Sequence, residues 1–456
     1  MNRHTKVVSD LKLHRLTMWG LAVLALWSPP PIAATQTAKV GAYYFEGWYH
    51  DTPGAIAAFA NEELRNDFPE REPIWGGGLW RGDTVEIMEQ QIDLAADHGV
   101  AFFSFDWYWK GSPAATANDG INSGLKNFML ASNRDRMEFN INIVDAAPTT
   151  IDSDAEWEQV ADMLMPYLTD SQYLRVGGNP LITNFASAGM TQTNYDYFQQ
   201  IATAAGLDGV EFAANVEGPT SLYSHVTRYN AVPGWGAGEV EYPYQSLTDY
   251  VEGNDTWAEG IWNTESGGPQ SYIPVVMAGW DARPWNTPPT WYFNPSRTPE
   301  AVGAHLQKAI DWIDNNPALA TPERLVMIYA WNEFGEGGYI APTVGDPEGA
   351  YLQSIRNVLN VPEAGDLNGD GFVGGADLDI VRSFWGQTVA PGDLLHGDPS
   401  GNGVCSGQDL DIVRAHWGEG TLPNANAVPE PSLPLMAAQL CALLATLATR
   451  CRSRRR

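Results

Sequence analysis

Through residues 35–362, short apolar runs rich in β-branched and aromatic residues alternate with longer stretches whose apolar positions recur every three or four residues. The runs at 40–45, 100–105, 138–143, 181–184, 210–214, 273–278 and 325–330, with a weaker one at 229–232, have the length and bounding turn residues of strands. Between the last two, Val302, Leu306, Ile310 and Ile313 share one helical face, which would lie against a sheet. Strand and helix alternating eight times predict an α/β fold, a TIM-like (β/α)8 barrel over 35–362; an open doubly wound sheet is the other arrangement such a pattern allows.

After residue 362 the pattern becomes a tandem repeat: Gly365–Arg382 recurs as Gly397–Arg414. In the first copy Asp366, Asn368, Asp370 and Asp377 stand at positions 1, 3, 5 and 12 of a loop, with Gly371 at the sharp turn and the Phe372 carbonyl at position 7. Oxygen donors at that spacing suit Ca2+. The second copy offers Asp398, Ser400, Asn402, the Val404 carbonyl and Asp409; having one charged donor fewer, it is expected to bind more weakly. Helices are expected over 378–385 and 410–417, ended by Gly386 and Gly418. Residues 364–420 resemble type I dockerins, down to the Asp at position 12. That resemblance implies a small all-α calcium-binding domain and a cohesin-like partner, although Gly375-Ala376 and Gly407-Gln408 occupy the usual recognition positions.

Both ends read as addresses. Arg3, Lys6, Lys12 and Arg15 precede an apolar stretch at 16–27 that leads to Ile32-Ala33-Ala34, the layout of a secretory signal peptide over 1–34; a retained anchor is the alternative. A linker at 421–432 runs into Pro429-Glu430-Pro431, an apolar segment at 433–449 near the short limit for a transmembrane helix, and an arginine-rich end. Residues 429–456 resemble the PEP-CTERM sorting signal. This implies export, exosortase processing and delivery to the cell surface, outer membrane or extracellular matrix, against a plain membrane anchor.

Composition narrows the chemistry. The chain has 456 residues, 44% hydrophobic and 18% charged, with 18 Trp and 18 Tyr, so it is globular throughout its middle. Its net charge is −29; the two basic ends carry +3 and +5, leaving −37 between them, which argues against nucleic acid and for neutral or cationic partners. Cys405, Cys441 and Cys451 all lie beyond the large domain, which therefore contains no disulfide. No zinc-hydrolase, serine-hydrolase or nucleotide-binding motif is present.

In a (β/α)8 barrel, chemistry sits where strands end. Here those ends carry Tyr43, Tyr44, Glu46 and Trp48; Asp106, Trp107, Tyr108 and Trp109; Trp280, Asp281 and Arg283; and Trp331, Asn332, Glu333 and Glu336. Aromatic faces beside carboxylates suit sugar rings and their hydroxyls, so these side chains are candidate glycan contacts. Glu333 and Glu336, three residues apart, would share a face if the segment turns helically, and glycoside cleavage needs two such carboxyls.

Together with Tyr173-Leu174-Arg175, Gly178-Asn179-Pro180 and Pro284, these motifs resemble family 99 glycoside hydrolases and the related WbsX-like group. The resemblance implies an enzyme, without a catalytic cofactor, that retains configuration through a 1,2-anhydro sugar, Glu333 acting as base toward a 2-hydroxyl and Glu336 as general acid. Phe334, Gly335 and Glu46 depart from the mannosidase pattern and place the chain nearer the WbsX-like group. The leading reading is an exported glycoside hydrolase acting on a polysaccharide or glycan. A WbsX-type glycosyltransferase and a non-catalytic glycan-binding surface protein are the alternatives. The two terminal signals generate a first expectation: cell fractionation finds the protein outside the cytoplasm and shortened at both ends, whereas a full-length cytoplasmic product contradicts them.

Overall fold

The computed structural model describes residues 38–420, apart from 51–53, 186–188, 216–220, 234–239, 255–258, 286–290, 294–295 and 362–363. The signal peptide, the C-terminal linker and the transmembrane segment expected above lie outside the described residues. Among the described residues, no helix is long and apolar enough to cross a membrane.

The large domain is an α/β fold around one parallel sheet. Its strands are β1 (Lys39–Tyr44), β2 (Val100–Trp107), β3 (Glu138–Val144), β4 (Asn179–Phe185), β5 (Glu211–Ala214), β6 (His225–Val226), β7 (Ser271–Tyr272), β8 (Val275–Met277) and β9 (Leu325–Tyr329). Their order is β8-β9-β1-β2-β3-β4-β5-β6-β7, with every neighbour parallel. The two outermost strands are consecutive pieces of one run. Ile273 N donates to Val226 O (2.8 Å), and Pro274 O accepts from Met327 N (2.9 Å), so the sheet curls until its ends meet in the segment 271–277.

Two expectations are corrected. The single strand at 273–278 is two short ones broken at Ile273-Pro274, because proline has no N–H to continue a ladder. The weak strand at 229–232 is not a strand: pairing in that run stops at Val226, and Tyr229 turns inward.

Alternation along the strands sorts side chains into two layers. Tyr44, Phe103 and Phe105 pack outward, where Tyr44 meets Gln91 of helix Val85–Asp97 and Phe105 lies 5.4 Å from Phe128 of helix Ser123–Leu130. Each fully buried aromatic of this kind contributes about 1.5–3 kcal/mol by leaving water. The inward positions become polar toward the strands' C-terminal ends: Ser104, Asn140 and Thr183 bond to one another, and Asp106 and Asn142 lie two residues further along. Helices are set by local chemistry. Ser153 caps helix Asp154–Leu168, whose Trp157, Val160, Ala161, Leu164 and Leu168 are buried; Thr298 caps helix Pro299–Asn315, which buries Val302, Leu306, Ala309 and Ile313.

Residues 364–420 have their own small core of Leu367, Val373, Val381, Cys405 and Val413. Their helices are Gly375–Ser383 and Gly407–Ala415, beginning three residues earlier than the apolar pattern alone indicated, because Asp377 and Asp409 accept from Gly374 N and Ser406 N in the first turn. The repeats are reciprocally bridged. Val373 of the first loop pairs with Gly418 and Glu419 beyond the second helix, while Cys405 of the second loop pairs with Gly386 and Gln387 beyond the first.

Candidate active site

The chain reaches its acidic cluster through a tight turn. Asn332–Glu333 pairs antiparallel with Gly338–Tyr339, and a 3-10 turn, Phe334–Glu336, joins them. Glu333 stands at the N-cap of this turn and Glu336 at its end, close enough that the Glu336 charge acts on Glu333. Two glycines make the turn possible. Gly337 has φ +67° and lies against Asp281, whose N–H donates to Glu336 O (2.5 Å); at Gly335 a Cβ would collide with the Trp285 indole.

Five strand ends contribute to one connected polar chain. Asn215 Nδ2 donates to Asn142 Oδ1 (2.7 Å), and Asn142 Nδ2 to Asp106 Oδ1 (2.8 Å). Asp106 Oδ2 lies 2.7 Å from the Tyr229 hydroxyl, which also bonds Glu333 Oε1. Glu333 Oε2 is buried without a hydrogen-bond partner. The Tyr329 hydroxyl bonds Glu336 Oε2, and the neighbouring Asn230 side chain opposes the rise of that phenol. The ring of Tyr229 is held by Tyr43 at 4.8 Å, Tyr329 at 5.2 Å and Phe185 at 5.4 Å.

Burial dominates the electrostatics. It lifts Asp106 to about 7 against the hydrogen bonds from Asn142 and Tyr229, with the Glu336 charge adding to the rise. Glu336, half-buried, is lifted to about 7 by desolvation, opposed by Tyr329. Burial and then the Glu336 charge push Glu333 well above the usual carboxylate range, while Tyr229 holds it down. Glu46 is raised as well: burial outweighs the N–H groups of Leu125 and Gly124, and its Oε1 is unpartnered. Tyr108 faces all four acids, and burial with their charges raises its phenol well above its ordinary value.

The residues expected at the site divide into two groups. Tyr43, Asp106, Glu333 and Glu336 are brought together, as is Trp280, which lies 6.1 Å from Tyr329. The others are built into the frame. Tyr44 turns to the helix layer; Trp331 Nε1 donates to Gln91 Oε1 (2.7 Å); Trp109 Nε1 donates to Glu156 Oε1 (3.2 Å) and lies 6.4 Å from Trp107. Asn332 clamps the backbone of Phe45 through both side-chain atoms, at 2.8 and 2.9 Å, and Trp48 Nε1 donates to Asn332 O (2.8 Å). Asp281 receives both Arg71 and Arg283, an ion-paired brace that holds it ionised despite its burial. Arg71, Trp280, Asp281, Arg297 and Tyr339 line a cleft of about 220 Å³ beside Gly337.

Tyr229, Asn230, Tyr329, Asn142 and Asn215 were not anticipated. The signal present was Asn140 and Asn142, polar at period two inside an otherwise apolar strand, where an inward polar pair has to be satisfied.

The fold defines an α/β protein whose curled parallel sheet carries a desolvated acidic cluster at the strands' C-terminal ends. Residues 148–355 match the family model described as Glycosyltransferase WbsX, a span that includes Tyr229, Glu333 and Glu336 but not Asp106. No curated protein matches the chain. Among solved structures, it is similar to the family 99 endo-α-mannosidase of Bacteroides thetaiotaomicron at 16% identity and a TM-score of 0.47, covering 71% of this chain and 96% of that one. A glycoside hydrolase-like protein is similar at 14% identity and a TM-score of 0.49, covering 73% and 97%.

The raised acids fix a pH dependence. A carboxyl whose folded pKa lies above its unfolded value stabilises most below about pH 4, and that contribution is lost as pH climbs toward 7. Glu336→Gln, which cannot ionise, is therefore expected to gain stability relative to the parent between pH 5 and pH 8, on the order of 2 kcal/mol. Urea unfolding midpoints at the two pH values measure it; a constant difference contradicts the burial.

Proposed function

We propose that this chain is a glycoside hydrolase acting on a polysaccharide or glycan outside the cytoplasm, with Glu333 as base and Glu336 as general acid. The observation that carries the reading is the 3-10 turn that presents both glutamates to one desolvated cluster, with Glu336 held near neutrality. An acid at about 7 keeps its proton at working pH and can give it to a leaving oxygen. Glu333 Oε1 is occupied by Tyr229, so the unpartnered Oε2 is the atom left to take a proton from a substrate hydroxyl. In the substrate-assisted route that proton comes from a 2-hydroxyl, whose oxygen then displaces the leaving group that Glu336 protonates. Trp280 and Tyr43 supply aromatic faces beside the acids, and the cleft beside Gly337 would hold an adjoining sugar.

Losing a general acid or base costs about 10²–10⁴-fold in rate. Glu333→Gln and Glu336→Gln are each expected to lose turnover on this scale while still binding glycan, and a good leaving group partly rescues only Glu336→Gln. Digestion of a glycan library by the parent and both variants tests this, and full activity in both variants removes the assignment. The WbsX model favours one other outcome, transfer from an activated sugar without hydrolysis, which the same assay supplied with sugar nucleotides would reveal.

We further propose that the two repeats bind Ca2+ and that the terminal signals take the protein to the cell surface. The donor chemistry supports calcium. Asp366, Asp377, Asp398 and Asp409 are buried in a domain with a minute core, where buried carboxylates call for a compensating charge such as a cation. Among the described residues, no three acidic, His or Cys side chains converge on one point; Asp370 bonds Asn368 and Phe372 N instead. The remaining donors would be Asn368, Asp370, Ser400, Asn402 and the carbonyls of Phe372 and Val404. Calorimetric titration of the full chain with Ca2+ is expected to show two sites, the first tighter, with Asp366→Ala and Asp398→Ala each removing one; no heat above buffer contradicts the proposal.

A further inference from the structure

One phenol hydroxyl stands between two buried carboxyls. Tyr229 O lies 2.7 Å from Asp106 Oδ2 and also bonds Glu333 Oε1, yet it has a single proton to donate. Both contacts are hydrogen bonds only if one carboxyl is protonated and donates to the phenol oxygen. The reading of Glu333 as the base decides which one, because a protonated Glu333 could not accept a proton. Asn142 Nδ2 donates to Asp106 Oδ1, so that oxygen is an acceptor and any proton on Asp106 sits on Oδ2, aimed at Tyr229. The Asn142 amide is itself oriented, since its Oδ1 accepts from Asn215. With Asp106 donating, the Tyr229 proton points at Glu333 Oε1.

We propose that Asp106 is a positioning residue that holds the single carboxyl proton of the Asp106–Tyr229–Glu333 chain, so that Glu333 meets its substrate ionised and with Oε2 free. This rests on the reading of Glu333 as the base. The opposite placement, with the proton on Glu333 and Asp106 ionised, would leave the base unable to accept. No cation intervenes: among the described residues, Asp106, Glu333 and Glu336 form no ion pair, and the other groups that Tyr108 brings into the cluster's field are the acid Glu46 and Tyr108 itself. Tyr43 and Tyr329 close the remaining sides as neutral phenols. Burial favours the neutral form of both carboxyls, so the placement follows from the shared phenol and the role of Glu333.

The test has two arms on the full chain. Infrared difference spectra at pH 6, parent minus Asp106→Asn, with aspartate carboxyls isotopically labelled, are expected to show the loss of a protonated-carboxyl band. Loss of carboxylate bands instead overturns the proposal, whether or not any glycan is cleaved. In the second arm, on a glycan the parent cleaves, Asp106→Leu is expected to lose about 10²-fold in turnover. Asp106→Asn, which can still donate to Tyr229, recovers most of that loss. Tyr229→Phe removes the hydrogen bond that lowers Glu333, so the acid limb of its pH–rate profile moves up by about one unit. An Asn variant as impaired as Leu, or an unmoved acid limb in Tyr229→Phe, refutes the chain. A parent that cleaves no glycan but gives the expected infrared band would place the failure with the glycosidase reading alone.

Discussion

Asp106, Glu333 and Glu336 are gathered into a desolvated site where, among the described residues, none of them has a basic partner, and most of the architecture around them answers that constraint. Arg71 and Arg283 are spent on Asp281, so the three acids are managed by neutral donors: Asn142 for Asp106, Tyr229 for Glu333, and Tyr329 for Glu336. Neutral donors orient a carboxyl without forcing it to ionise, which an arginine at the same distance would do. The consecutive pair Tyr229-Asn230 serves both glutamates, one directly and one through Tyr329. A loop that follows a two-residue strand therefore sets the proton inventory of a turn more than a hundred residues away in the chain.

Holding that turn is the task of the aromatic shell. The Asn332 side chain fixes the end of β9 to Phe45 after β1, Trp48 bonds the Asn332 carbonyl, and Phe334 packs 5.2 Å from Trp48 and 5.4 Å from Tyr339. These contacts immobilise Glu333 from behind. Side chains that a glycan reading assigns to substrate are thus the mould in which the carboxyls are cast, and the rigidity they confer is what lets a 3-10 turn keep two repelling acids together.

The strands with longer apolar runs, β1 to β5 and β9, were legible in the sequence because four or more mostly apolar residues outweigh the noise of single positions. The pairing at 225–226 was not, since two residues cannot show a period, and Tyr229 beyond it looked like one more core aromatic. The site was legible only in part for a related reason. Glu333, Glu336 and Asp106 stand out as acids after apolar runs, whereas Asn142 and Tyr229 acquire meaning only when the sheet curls and brings residues 106, 142, 229 and 333 to one end. In the repeats, spacing located the loops, but the helix starts depended on Asp377 and Asp409 reaching back to the backbone, a contact that apolar periodicity does not encode.

Gly335 and Trp285 occupy each other's space: the indole sits where a side chain at 335 would project. In evolutionary terms the two positions form a linked lock. A larger residue at 335 alone would collide with the ring, and a smaller residue at 285 alone would lose the indole's edge contact with Phe59, so neither single step is easily tolerated. Descendants of this sequence could exchange the pair only together or in a permissive background, and the packing behind the turn would change character abruptly when they did.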